Sequence, residues 1–134
     1  MKGPGKFIQH QKGQILPIVV ILLAVLLGFA TLLTDSGSMT LSRRELQNAA
    51  DAAALAGAQN LPDNPSQAIT DANTYAAANG KTGDVVTVTL AADDKSITVK
   101  ITRQSPLFFG KIFKKTGATI VADATAEVGV AASV

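Results

Sequence analysis

The sequence predicts an α+β protein: a long N-terminal transmembrane α-helix, then a small head with a second helix and a three-stranded antiparallel sheet. Three observations carry this. Residues 15–33 form an uncharged apolar run, the apolar spacing switches from three-and-four to alternate residues near Val85, and turn residues punctuate positions 61–65, 80 and 93–95.

Between Gly13 and Thr34 there is no charge, and residues 15–33 read ILPIVVILLAVLLGFATLL. At about 1.5 Å per residue this spans the roughly 30 Å hydrocarbon layer of a bilayer. Fourteen of the nineteen residues are Ile, Leu, Val or Phe, each favouring insertion by about 0.3–0.6 kcal/mol at a helix centre. A cleaved secretory signal is the competing reading. Its apolar core, however, is typically about 7–15 residues and ends at a small-x-small site, whereas here helix-forming sequence follows. Pro17 falls in the first turn, where its missing N–H costs no hydrogen bond. Gly28 is ordinary in a membrane helix and also allows close packing. Lys2, Lys6 and Lys12, with no acid before Thr34, predict a cytoplasmic N-terminus and an external remainder.

Strong helix formers continue beyond the run, with no proline between Pro17 and Pro62. Met39, Ser42, Leu46, Ala49, Ala53 and Ala56 recur on one face. This small apolar face is the expected helix-packing surface, its partner being either the chain's own head or a neighbouring copy. One helix over about 15–59 is expected, and Asp35-Ser36-Gly37-Ser38 is the place where a kink and a new N-cap would divide it. Leu61-Pro62-Asp63-Asn64 ends it; Asn64 then caps a second helix that opens with Pro65 and reaches about Asn79. Its expected apolar face is Ile69, Ala72 and Ala76 with Tyr75 beside it, and Asn79-Gly80 supplies a left-handed stop. Val86, Val88 and Leu90, the turn Asp93-Asp94-Lys95, and Ile97, Val99 and Ile101 predict a β-hairpin. Ser105-Pro106 predicts a short apolar helix from Leu107 to about Phe113. A last strand over 119–128 has Ile120, Ala122, Ala124, Ala126 and Val128 on one face. So many alanines make a thin core, which packing against other subunits would reinforce. The expected organisation is a basic cytoplasmic leader at 1–13, the long helix at 14–60, spanning the membrane at 15–33, and an extracytoplasmic α+β head at 61–134.

The composition excludes most chemistry. There is no Cys and only His10 as a histidine, which removes thiol nucleophiles, disulfides and Cys- or His-built metal sites. The formal charge of +2 comes from the leader; the remainder holds nine basic and ten acidic residues and has no footprint for nucleic acid. No P-loop, GxSxG, HExxH or dinucleotide fingerprint occurs. Catalytic, cofactor-binding and metal-ligating residues are therefore expected to be none, and no small-molecule substrate is implied. Asp93-Asp94 reads as turn chemistry, Phe108, Phe109 and Phe113 as head core, and Lys111, Lys114 and Lys115 as a solvated helix end.

Asp35-Ser36-Gly37, followed by Arg43-Arg44-Glu45-Leu46-Gln47-Asn48-Ala49-Ala50-Asp51-Ala52-Ala53-Ala54-Leu55-Ala56-Gly57-Ala58, resembles the N-terminal segment of TadE/TadG-like proteins. These are pilin-like components of the tight-adherence, or Flp-type, pilus. The resemblance runs from Gly13 to about Ala58; Leu107-Phe108-Phe109 and the strand ending Ala124-Thr125-Ala126 also resemble the tail of short TadG-like proteins. It implies a bacterial envelope protein made as a prepilin-like precursor. Its partners would be the membrane, further copies of itself in a helical homo-oligomer or other pilus proteins, and a prepilin peptidase. Lys12-Gly13-Gln14 resembles that peptidase's cleavage site, which would release a chain of 121 residues starting at Gln14. Two departures stand out. Pilins usually carry Glu five residues past the cut, where this chain has Ile18. Longer TadG-like proteins add a von Willebrand A domain with a DxSxS metal motif, which is not expected here; Asp35-Ser36-Gly37-Ser38 only mimics the motif, with Gly37 at the required Ser. Arg44 and Asp51 are candidate intersubunit polar contacts, with a solvated position an equal alternative for Asp51. Three functions follow: a structural subunit of a surface filament, a minor pseudopilin that anchors or primes one, or a simple anchored envelope binding domain. The alanine-rich helix face disfavours the last, since a tether needs no close-packing surface.

Overall fold

The computed structural model describes residues 15–110, 114 and 116–129. The elements are α1 (Ile15–Ala58), α2 (Pro65–Asn79), β1 (Val85–Leu90), β2 (Ser96–Pro106) and β3 (Gly117–Glu127). The class is α+β, as the sequence predicts.

At 44 residues, α1 is about 66 Å long, and it runs through Asp35-Ser36-Gly37-Ser38 without a break. The hydroxyls that could have capped a new helix instead fold back onto carbonyls of the preceding turn. Thr34 Oγ1 donates to the Ala30 carbonyl at 2.9 Å, Ser38 Oγ to that of Asp35 at 2.8 Å, and Thr40 Oγ1 to that of Ser36 at 3.0 Å. The helix has two environments. Its apolar run up to Thr34 has no buried residue, whereas Asp35 and, further on in the second half, Leu46, Ala49, Ala50, Ala53, Ala54, Ala56 and Gly57 are buried.

The head forms around that second half. Antiparallel strands in the order β1-β2-β3 make a meander, with Val88 opposite Val99 and Val99 opposite Ala124. Ile97, Val99, Ile101, Ile120, Ala122 and Ala124 point inward. Across that face α1 lies on β2 and β3, while α2 lies on α1 and β1. Ten of the sixteen buried apolar residues among those described are alanines, so the layers approach closely. Gly57 marks the tightest point: a Cβ there would stand 2.6 Å from Ile97 Cδ1 and 2.9 Å from the Ala68 carbonyl oxygen.

Four expectations are corrected. Ser105-Pro106 ends β2 rather than starting a helix, because both residues pair with β3 opposite Ala118 and Gly117. Pairing with β1 stops at Thr102, so Pro106 lies where one side of the strand is already an edge and no ladder donor is needed. Leu107 is irregular, Phe108 and Phe109 form a turn and only Gly110 is helical, of the 3-10 type; 111–113 of the expected helix lie outside the described residues. Gly80 is extended, at φ −87° and ψ −169°, not left-handed. It is small because a Cβ would press on the Ala76 carbonyl oxygen at 2.8 Å and Asp84 Oδ2 at 3.0 Å. On α2 the buried stripe is Ala68, Ala72 and Ala76, while Ile69 is partly and Tyr75 half exposed; the close approach of α1 admits only alanine there. The phenylalanine pair is not head core: Phe108 is 74% exposed, because its turn sits beyond the sheet. The Asn64 cap, by contrast, is as expected, its side chain accepting from Gln67 N at 3.2 Å.

Candidate functional site: the long helix and its junction with the head

The features that sequence and structure point to lie along α1. Its apolar stretch is long and apolar enough to cross a membrane, and none of it is buried inside the molecule. The predicted packing face is occupied by the chain's own head. Leu46, Ala49, Ala53 and Ala56 are buried and Met39 and Ser42 half-buried, all turned towards α2 and the sheet. The opposite face is open, with Leu41 60% and Leu55 63% exposed and Arg44, Asn48 and Asp51 exposed between them. Asp51 accepts from Gln47 Nε2 at 3.0 Å, and the same amide reaches the Asp123 carbonyl at 3.0 Å. Gly13 and Gln14 lie outside the described residues.

Just beyond the apolar run, Asp35 is buried at 6% exposure. Its carboxylate accepts two backbone hydrogen bonds from the turn after β2, from Phe108 N at 3.0 Å and Phe109 N at 2.8 Å. Such charge-assisted bonds are stronger than neutral ones, and they tie the far end of the hairpin to the helix where it leaves the apolar stretch. The sequence offered a signal for this: Asp35 is the first acid after 34 residues without one.

A second fastening lies deeper in the head. Arg103 grips Asp84 with two bonds of 2.7 Å, from Nε to Oδ1 and from Nη2 to Oδ2. Its Nη1 reaches Glu45 Oε2 on α1 at 2.8 Å, and Lys81 Nζ meets the same oxygen at 2.6 Å. The Arg103 and Asp84 side chains are only 10% and 5% exposed. The Arg103 hydrogen bonds hold the Asp84 carboxyl below the usual carboxylate range, against the opposing effect of burial. Glu45 is lowered by its bond from Lys81 and then by that from Arg103, and Arg103 itself is raised, chiefly by Asp84. This cluster joins α1, the β1 approach and β2, and its groups satisfy one another, which suits a structural clamp rather than a reaction centre. Sequence reading missed it although the signal was present. The alternation that turns Ile97, Val99 and Ile101 inward continues to Arg103, and a cation on a buried face requires acidic partners.

Among the described residues, no group of three or more His, Cys, Asp or Glu side chains could hold a metal ion, and the buried side-chain polar atoms all have hydrogen-bond partners. The surface grooves are open and shallow, and one of them, lined by Val25, Gly28, Phe29, Leu32 and Phe109, is almost wholly apolar. Residues 13–60 match the Tad family, described as Flp pilus-assembly TadE/G-like, a family of pilus assembly rather than of enzymes. The match covers α1 and stops in the turn before α2. Neither curated proteins nor solved structures returned a match.

Proposed function

We propose that this chain is a pilin-like structural subunit of a Tad-type surface filament of the bacterial envelope. Residues 15–33 hold it in the cytoplasmic membrane before assembly, with the head outside, and bundle with those of other copies in the filament. One observation carries this reading: α1 is a single helix whose second half is locked into the head and whose apolar run is not buried inside its own molecule. A bare apolar helix must be covered by lipid or by other helices, and the Tad match over the same residues supports the second fate after the first. The inner face of α1 is already occupied, so neighbouring copies meet the outer one. There Leu41 and Leu55 supply apolar anchors, and Arg44 and Asp51 supply opposite charges suited to a head-to-tail interface that does not close on itself.

A second reading, a minor membrane-anchored factor of the same pilus, is favoured by Ile18 at the place where pilins usually carry Glu. Sheared surface filaments separate the two. The subunit reading expects this chain as the main protein band by mass spectrometry, beginning at Gln14 once the prepilin peptidase has acted. A chain absent from filaments and confined to the membrane fraction would establish the second reading instead.

A further inference from the structure

If α1 crosses a bilayer, the turn pinned to it at Asp35 lies at the depth where the apolar run ends, two residues past Leu33. That is about 3 Å along the axis. Three features of the turn fit this depth. Phe108 is 74% exposed, the most exposed large apolar side chain of the head among the described residues. Phe109 reaches back along α1 to share an apolar groove with Val25, Gly28, Phe29 and Leu32, so the side chain lies level with the apolar run. Both N–H groups of the pair are satisfied by Asp35, as a backbone entering a low-dielectric layer requires. The sequence then supplies Lys111, Lys114 and Lys115; Lys114 is exposed. Aromatic side chains followed by cations match the boundary between acyl chains and anionic headgroups.

We infer that the turn at Phe108 and Phe109 is a second membrane contact, which inserts both side chains into the head-side leaflet beside α1 with exposed Lys114 among the headgroups. It would fix the height and tilt of the head on the bilayer, where a single helix alone leaves the head free to swivel. This inference rests on the proposed membrane anchoring of α1, and the two are tested separately.

The chain has no tryptophan, so single-tryptophan variants report position without background. Full-length Phe108→Trp, Leu22→Trp and Tyr75→Trp proteins are reconstituted into phosphatidylcholine vesicles containing phosphatidylglycerol, at high lipid excess. Emission and quenching by lipids brominated at shallow or deep acyl positions are then measured. Leu22→Trp should be quenched most by deep bromines, and Tyr75→Trp should stay water-like and unquenched. Phe108→Trp should be blue-shifted and quenched at least twofold more by shallow than by deep bromines. If Leu22→Trp escapes bromine quenching, the membrane anchoring fails and the inference with it. If Leu22→Trp is quenched but Phe108→Trp emits as in water, the inference alone is overturned. A Phe108→Trp emission that is blue-shifted but indifferent to brominated lipid also overturns it, and assigns the turn to contact between copies.

Discussion

The same substitution at two glycines of α1 should have opposite effects. Placing Ala at a helical Gly stabilises a helix by about 0.8–1 kcal/mol. At Gly37 a Cβ meets nothing within 4 Å, so Gly37→Ala should keep most of that gain. At Gly57 the new methyl would stand 2.6 Å from Ile97 Cδ1, 2.9 Å from the Ala68 carbonyl oxygen and 3.2 Å from Ala72 Cβ. Ile97 is wholly buried, so its methyl cannot swing into solvent, and the carbonyl belongs to the backbone of α2. Overpacking costs about 1–3 kcal/mol; two contacts below 3.0 Å put this site at about 2–3 kcal/mol, which after the propensity gain leaves Gly57→Ala destabilised by about 1–2 kcal/mol. For a head of this size each kcal/mol moves the midpoint by about 4–8 °C. Thermal unfolding of the full chain in detergent micelles can be followed through its single tyrosine, Tyr75, which lies on α2 and reports the head rather than the apolar helix. Gly37→Ala should melt several degrees above the parent, and Gly57→Ala roughly 5–10 °C below it. A Gly57→Ala protein as stable as the parent would refute the close packing of α1, α2 and β2 as the principle of this core.

Three further outcomes follow from the charges and the apolar run. Arg103→Met should cost about 3 kcal/mol, because it leaves Asp84, 5% exposed, without its cation; the midpoint of chemical denaturation reads this directly. Asp84 and Glu45 titrate lower in the folded chain than their ordinary values of 3.8 and 4.5, so the unfolded chain binds more protons in that window. Their stabilisation is therefore complete above about pH 5 and lost as pH falls below about 4; the melting midpoint should drop there, and less steeply in Asp84→Asn. Leu22→Arg puts about 2.5–3.5 kcal/mol against insertion at the middle of the apolar run, and the carbonate-resistant membrane fraction of the protein should fall accordingly.

The two helices and three strands were legible because each rests on local chemistry. Asn64-Pro65 starts α2 through a cap and a preset φ, and the alternation from Val86 to Ile101 fixes one face of the hairpin. Where the sequence misled, a distant partner had outweighed a local preference. Ser105-Pro106 has the form of a helix start, yet its pairing with Gly117 and Ala118 extends β2. Ile69 is more apolar than Ala68, but only the smaller residue fits under α1. Of the site, the apolar run and the alanine face could be found from spacing alone. The Glu45–Arg103–Asp84 clamp could be suspected from one inward cation, although its partners, 58 and 19 residues away, could not be named.

By itself the sequence determined where this chain is apolar, where its two long helices run, and that it has no cysteine and a single histidine, because those properties depend on composition and on periods of two or a few residues. Only the tertiary structure decided that the alanine face of α1 is covered by the chain's own head, that Leu41 to Leu55 form the open side, and that the phenylalanine turn is tied to Asp35. The physical reason is the same in each case: a bare small-residue face accepts any backbone that comes close, and a carboxylate any free N–H. Which one it takes is set by tertiary contacts, from α2 against α1 to the Asp35–Phe109 bond, 74 residues apart.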